Sequence, residues 1–327
     1  MAAFVLRRMT RHLVLAVLAM SLTYLLAAVA LDPRAGYEGR APRPPEAVVD
    51  ARLTALNLND RTPLAERYLI WAGGVLHGDL GRTWDGEPVG AELRRRLGVS
   101  ARLVLPGAVL GCGLGVLLGT WAAARHGRAA DRIITFGSCL LPAVPLFVLA
   151  TLLQILAVKA NDAMGVRAFV WVGETASDAP DGTAGVADRL RHLLLPTAAV
   201  ALAQLGVCCR YQRALMLDVL DAGFVRAARA RGLRRRSALL RHGLRAQLVP
   251  MTTYLAYASG LLILGGLFTE KVFGRHGVGE WLAVSVARGD VNAVAGVGCA
   301  AVGAVLLAGF ASDVLNGVLD PRVRSAS

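Results

Sequence analysis

Six stretches of the chain are apolar over about the length a helix needs to cross a bilayer, roughly 20 residues. They run approximately 13–31, 103–124, 133–158, 193–209, 250–269 and 291–312, with few or no charges inside. Span two carries Gly107, Gly111, Gly113, Gly115 and Gly119, and such small residues let helix backbones approach closely in lipid, so this helix is expected to face other helices. Gly296, Gly298 and Gly303 repeat the pattern in span six. Pro142 and Pro145 are expected to kink span three.

The intervals between spans are patterned differently. From Asp32 to Val99 a Pro/Gly/Arg-rich stretch runs through Pro45, after which Leu64, Tyr68, Trp71 and Val75 recur at helical spacing. That spacing predicts a short amphipathic helix against the membrane or the span ends, broken by Gly73, Gly74 and Gly78. Between spans four and five, Phe224 to Arg231 is a good helix former, and Gly232 can supply the left-handed residue that ends it. A second helix is predicted over Ser237 to Leu248, with Leu240, Leu244 and Leu248 on one face, leading to Pro250 at the start of span five. The expected fold is an all-α membrane protein of six transmembrane helices. Its organisation is expected to be residues 1–31 as N-terminus and first span, 32–99 as a large external segment, 100–318 as a five-span core containing the loop 210–249, and 319–327 as a tail.

Composition agrees with this pattern: 55% of the 327 residues are hydrophobic and mean hydropathy is +0.51, more than one soluble core needs. The net charge of +13 sits wholly in three places, residues 1–12, 125–132 and 210–249. The last holds ten arginines against Asp218 and Asp221. Residues 32–99 balance ten arginines with ten acids, and 159–190 is net negative. Positive charge therefore alternates from side to side, which by the positive-inside rule puts both termini and the 210–249 loop in the cytosol. Arg7, Arg8 and Arg11 before an apolar run ending Ala28-Val29-Ala30 also have the form of a secretion signal, but the run exceeds the usual core of roughly 7–15 residues.

The chemistry the chain lacks narrows its function. Its five cysteines (Cys112, Cys139, Cys208, Cys209, Cys299) lie in or beside spans, without zinc-ligand spacing or a disulfide framework, and are expected to be free thiols packed as apolar groups. No span carries a central lysine or arginine, and acids occur only near span ends, at Glu270 and Asp313. An ion-coupled transporter usually keeps ionisable groups at membrane depth. The sequence also lacks the G-x-x-x-x-G-K-[ST] phosphate loop, so energy for transport has to enter from a partner. A basic run without interleaved aromatics and held at both ends by spans does not fit nucleic acid.

Arg226-Ala227-Ala228-Arg229-Ala230-Arg231-Gly232, followed by Leu233, Leu239-Leu240-Arg241-His242 and Pro250, resembles the EAA loop of ABC importer permeases. Arg226 stands where the family usually has glutamate, a departure common in its peptide-transporter branch. The resemblance extends through Arg67 to Gly74, Gly78 to Thr83, Gly86 to Val89, Glu270 to Phe273 with Gly277 to Gly279, and Asp320 to Arg324. His276 stands where proline is usual. Together these are similar to the first permease subunit of dipeptide, oligopeptide and nickel importers.

The resemblance implies a bacterial inner-membrane permease without catalytic activity or cofactor of its own. It implies a second homologous permease, two ATPase subunits that hold ATP and Mg, and an external solute-binding protein. Phe224, Arg226, Ala227, Ala228, Arg229, Gly232, Leu233, Arg241 and Pro250 would form the helix loop that meets an ATPase. Gln204, Tyr254, Tyr257 and Glu270 are candidates for the pathway or its gate. The polar residues in the spans serve equally for interhelical hydrogen bonds, and Glu270 for a pair with Lys271 or Arg275. The alternative class is a stand-alone ion-coupled secondary transporter.

Overall fold

The computed structural model describes residues 2–38, 44–173, 186–220 and 222–319, and within them the apolar runs form helices with no strand. In chain order these are α1 (Ala2–Ala30), α2 (Ala35–Glu38), α3 (Glu46–Ala55), α4 (Leu64–Leu76), α5 (Val89–Ala124), α6 (Ala129–Ala143), α7 (Leu146–Met164), α8 (Val186–Asp218), α9 (Gly223–Ala230), α10 (Arg235–Ala238), α11 (Leu244–Gly265), α12 (Leu267–Val272), α13 (Val278–Ala287) and α14 (Val291–Leu319). A π-helical turn, Leu239–Gly243, joins α10 to α11. Among the described residues five helices are long and apolar enough to cross a membrane: Leu6–Ala30, Val89–Ala124, Leu146–Met164, Ala187–Asp218 and Val291–Val314. The sixth predicted crossing, 250–269, falls largely on α11, whose side chains are described only in part. The chain divides into two compact units.

The first unit comprises Met1–Ser100, Gly260–Leu267 and His276–Ser327. In it α1 and α14 run antiparallel. Arg8 pairs with Asp313 at 2.9 Å at one end, His12 meets Phe310 edge to face at 5.9 Å, and Gly298 packs so closely on Thr23 that a Cβ there would lie 2.1 Å from its methyl. The beginning of α1 and the end of α14 therefore share one end of this unit. At the other end α3 and α4 cover a core of Tyr24, Leu53, Leu58, Trp71, Val291 and Ala295. Trp71 stacks on Tyr24 at 4.5 Å and the Tyr68 and Ser21 hydroxyls are 2.7 Å apart, so the predicted amphipathic helix lies against span one. It also runs through Gly73 and Gly74, contrary to the expected break, and stops before Gly78 at φ +81°. The balanced charges of this segment become a network: Arg34 pairs with Asp50 and Asp60 at 2.5 Å each, and Arg61 with Asp50 and Glu46.

The second unit, Ala101–Ser259 with Phe268–Arg275, is built on α8. One neighbour is α5, parallel to it: Gly107, Gly111, Gly115 and Gly119 meet Val200, Ala201, Cys208 and Cys209 in turn, whereas Gly113 faces open space. Spacing by four keeps these glycines on one helix face, and without side chains they let the two backbones touch. The other neighbour is span three. It passes α8 once, antiparallel, from Asp131 beside Arg213, through Pro142 beside Gly206, to Ala150 and Ala157 packed with Leu195 and Ala199. Its prolines break the helix where a kink is expected, because Val144, preceding Pro145, adopts an extended conformation (ψ 123°) and parts α6 from α7.

Candidate functional site

The segment 210–249 starts as the end of α8 and turns after Leu217 into α9. Eight residues are too few for a helix stable by itself in water, so α9 needs a partner surface. One face supplies it. Val225 and Ala228 are buried and pack with Met216 and Val219 from the α8 end, Ala123 from the α5 end, and Ala238 and Leu239 beyond. The other face carries Phe224, 46% exposed, with Arg226, Ala227, Arg229, Ala230 and Arg231 all exposed. The two adjacent alanines thus divide: Ala228 is the buried small residue that lets the helix seat closely, and Ala227 belongs to the outer surface.

The end of α9 is closed by backbone hydrogen bonds. Gly232 takes φ +90°, its N–H donates to the Arg229 carbonyl at 2.9 Å, and the Leu233 N–H reaches back to the Ala228 carbonyl at 3.3 Å. This pair of bonds is the Schellman arrangement, and the accompanying apolar contact is made by Leu233 against the same cluster. Only a glycine takes this φ without strain.

The second helix differs from expectation in phase. The π turn adds a residue to one helical turn and rotates the rest of the helix by about 100°. As a result Leu239 is fully buried, while Leu240 is 53% exposed and Leu248 is exposed as well. The apolar face predicted through Leu240, Leu244 and Leu248 is displaced to Leu239 with Leu244. Arg241 is exposed within the π turn, and Pro250 lies inside α11, not at its start. The helix that begins in the basic segment is therefore continuous with span five.

An anchor that sequence reasoning counted only as a charge lies beside this cluster. Asp131 is buried in the first turn of α6 and accepts hydrogen bonds from Arg213 Nε (2.6 Å), Arg213 Nη2 (2.9 Å) and the Gly127 N–H (3.0 Å), with His126 at 3.3 Å. The Arg213 guanidinium holds the Asp131 carboxyl well below the usual carboxylate range. This two-pronged pair ties the start of span three to the end of span four one turn before Met216. No sequence spacing links residues 82 positions apart; only the antiparallel course of α6 and α8 does.

The pathway candidates do not converge. Gln204 is buried, its amide donating toward Cys112 Sγ (3.3 Å) and Cys208 Sγ (3.4 Å) between α5 and α8. The five cysteines are free, with the Cys112 and Cys208 sulfurs 3.0 Å apart. Tyr254 lies against the Tyr211 ring at 4.8 Å. Both make helix-to-helix contacts. Tyr257 is on α11 with its side chain outside the described atoms. Glu270 is fully buried in α12; Lys271 next to it is exposed, whereas Arg275 is buried, donates its backbone N–H to the Glu270 carbonyl (2.8 Å) and its guanidinium to the His192 carbonyl (3.1 Å). Asp79 and Arg82 serve local backbone, accepting from the Gly81 N–H and donating to the Gly86 carbonyl, each at 2.9 Å. Asp320 to Arg324 lie outside the described residues.

The chain is similar in sequence to known proteins. The family model described as binding-protein-dependent transport system inner membrane component matches residues 115–325, the region holding α8, α9 and the π turn. The oligopeptide transport system permease protein OppB of Mycobacterium tuberculosis is 46% identical over 325 residues, covering 99% of each chain. A putative peptide permease of Brucella ovis is 29% identical over 282 residues, 85% of each. The dipeptide transport system permease protein DppB of Escherichia coli K12 is 28% identical over 279 residues, 80% of this chain and 81% of that one. Matched by the family model over most of its length and by a permease at 46% identity from end to end, the chain belongs to the family of binding-protein-dependent transport system inner membrane components.

Proposed function

We propose that this chain is one of two permease subunits of an ATP-driven importer of peptides, and that α9 transmits the ATPase stroke to the spans. A member of this family is a multi-pass membrane transport component, not an enzyme. The observation that carries the proposal is the seat of α9. One buried cluster holds the ends of spans two and four, the short helix, and the start of the helix that becomes span five. A push on the exposed Phe224–Ala227–Arg231 surface therefore reaches three spans at once, since a close-packed cluster transmits displacement and does not absorb it.

In this reading 210–249 and both termini face the cytosol, consistent with the charge asymmetry. ATP and Mg belong to two separate ATPase subunits, a second homologous permease completes the pathway, and a binding protein delivers the solute outside. Nucleotide-driven closure of the ATPases biases the bundle between outward- and inward-open states. Peptides are the proposed cargo because the relatives similar over most of the chain are named as peptide, oligopeptide or dipeptide permeases.

The test is reconstitution in liposomes with and without the partner subunits. Peptide uptake that needs ATP, the ATPases and the binding protein is the expected result. Uptake by this chain alone, driven by an ion gradient, would replace the proposal with a secondary transporter.

A further inference from the structure

Within the first unit, the stretch from Thr83 to Arg96, together with α13 and residues 288–290 that follow it, lines a cleft of about 360 Å³. Neither the ATPase loop nor the spans account for it. Its size lies at the lower end for small-molecule sites, roughly 300–1,000 Å³. Trp281 is one wall, with Arg96 stacked over its ring at 5.6 Å, and Glu92 holds both Arg95 and Arg96 in place.

The charges of the lining fall into two sets. Asp290 is almost wholly buried. Its described hydrogen bonds come from two backbone N–H groups, Trp84 at 2.7 Å and Ala293 at 3.0 Å, and no cation lies within ion-pair reach among the described residues. Burial pushes this carboxyl above its ordinary value, against the pull of the two backbone N–H groups and of nearby Arg288. Asp85 and Glu87 add acidic groups to the lining. The basic set is Arg95 and Arg288. Arg288 bonds to Asp85 at 3.1 Å, but both side chains are more than half exposed, and such surface pairs are readily exchanged.

We propose that this cleft is a subsite for the two charged ends of a short peptide. The peptide ammonium sits toward Asp290, Asp85 and Glu87, its carboxylate takes Arg288 and Arg95, and its middle lies on Trp281. Binding exchanges the Asp85–Arg288 pair for two pairs with the ligand, so no charge is stranded. The inference rests on the reading that the cargo is peptide, but its test is separable from that reading.

The full chain in lipid nanodiscs, without binding protein or ATPase, is titrated calorimetrically with trialanine and with N-acetyl-trialanine amide. Trialanine is expected to bind about tenfold or more tighter than the blocked peptide, one lost ion pair being on the order of a tenfold change. Asp85→Asn and Arg288→Gln should each weaken trialanine by part of the difference between the two peptides, because each removes a partner of one charged end only. Arg61→Gln, which removes the pairs to Asp50 and Glu46 outside the cleft, should leave it unchanged. Equal binding of both peptides, no binding of either, or equal weakening by Arg61→Gln overturns the proposal. ATP-driven peptide uptake alongside any of these results would reject the cleft and leave the transport reading intact; trialanine binding without any peptide uptake would do the reverse.

Discussion

Gly232 offers the sharpest test of α9 as a lever, because its surroundings separate backbone strain from packing. At φ +90° a Cβ would project into space with no heavy atom within 4 Å. A substitution there costs backbone energy alone. Alanine in the left-handed region costs about 1–2 kcal/mol, and asparagine, which tolerates that region better, costs less. Proline cannot follow: its φ is held near roughly −65°, and it deletes the N–H that reaches the Arg229 carbonyl at 2.9 Å, a further ~0.5–1.5 kcal/mol. A loss of one to two kcal/mol is a factor of about 5–30 in a two-state population, so alanine lowers the fraction with a correctly closed α9 end by at most that much. The assay is peptide uptake per ATP hydrolysed in the reconstituted assembly, with thermal unfolding of the purified chain measured alongside. Uptake should fall in the order glycine, asparagine, alanine, proline, while the unfolding temperature barely moves. Gly232→Pro with wild-type uptake per ATP would refute the lever; a fall in unfolding temperature that tracks the loss of uptake would show that the residue matters for folding instead.

Three further outcomes follow from the packing. Gly111→Ala places a Cβ 2.3 Å from the Ala201 carbonyl oxygen and 2.9 Å from its Cα, forcing α5 off α8 at about 1–3 kcal/mol. Gly113→Ala meets nothing within 4 Å and gains up to about 1 kcal/mol of helix propensity, so detergent thermal unfolding should move in opposite directions for the two. Trp71→Ala removes the ring stacked on Tyr24 at 4.5 Å and should cost about 3–5 kcal/mol, read as a lowered unfolding midpoint of the full chain. Asp131 is held below its unfolded pKa by Arg213, so its stabilisation is complete above about pH 4 and is lost as pH falls through the lower folded value; Asp131→Asn should lower the unfolding temperature at pH 7 and flatten its decline below about pH 4.

The elements legible in the sequence are those set by local rules. Gly232 announces a left-handed helix end because few other residues can form one. Leu64, Tyr68, Trp71 and Val75 announce α4 because one helix face must be buried. Other local signals point to an outcome that the fold overrides. Gly73 and Gly74 weaken a helix by propensity, but packing of Trp71 on Tyr24 carries α4 through them. The paired prolines 142 and 145 predict a bend but leave open whether tertiary contacts keep the helix whole. The phase of the second loop helix is not legible, because a π turn is favoured by the cluster that buries Leu239 and not by any residue type within it.

By itself the sequence determined roughly where the long apolar helices lie, which segments carry positive charge, where α9 stops, and the family. Each follows from residue type at one position or from a period along one helix, and the hydrophobic effect and backbone sterics act on these locally. Only the tertiary structure decided which residues act together. It put Val225 and Ala228 inward and Phe224 and Ala227 outward, joined Asp131 to Arg213, turned Gln204 into a contact between helices, and brought Asp85 and Arg288 to one cleft beside Asp290. These pairs are set by which helices lie antiparallel or parallel and in what register, and no pattern along a single stretch of sequence encodes that register.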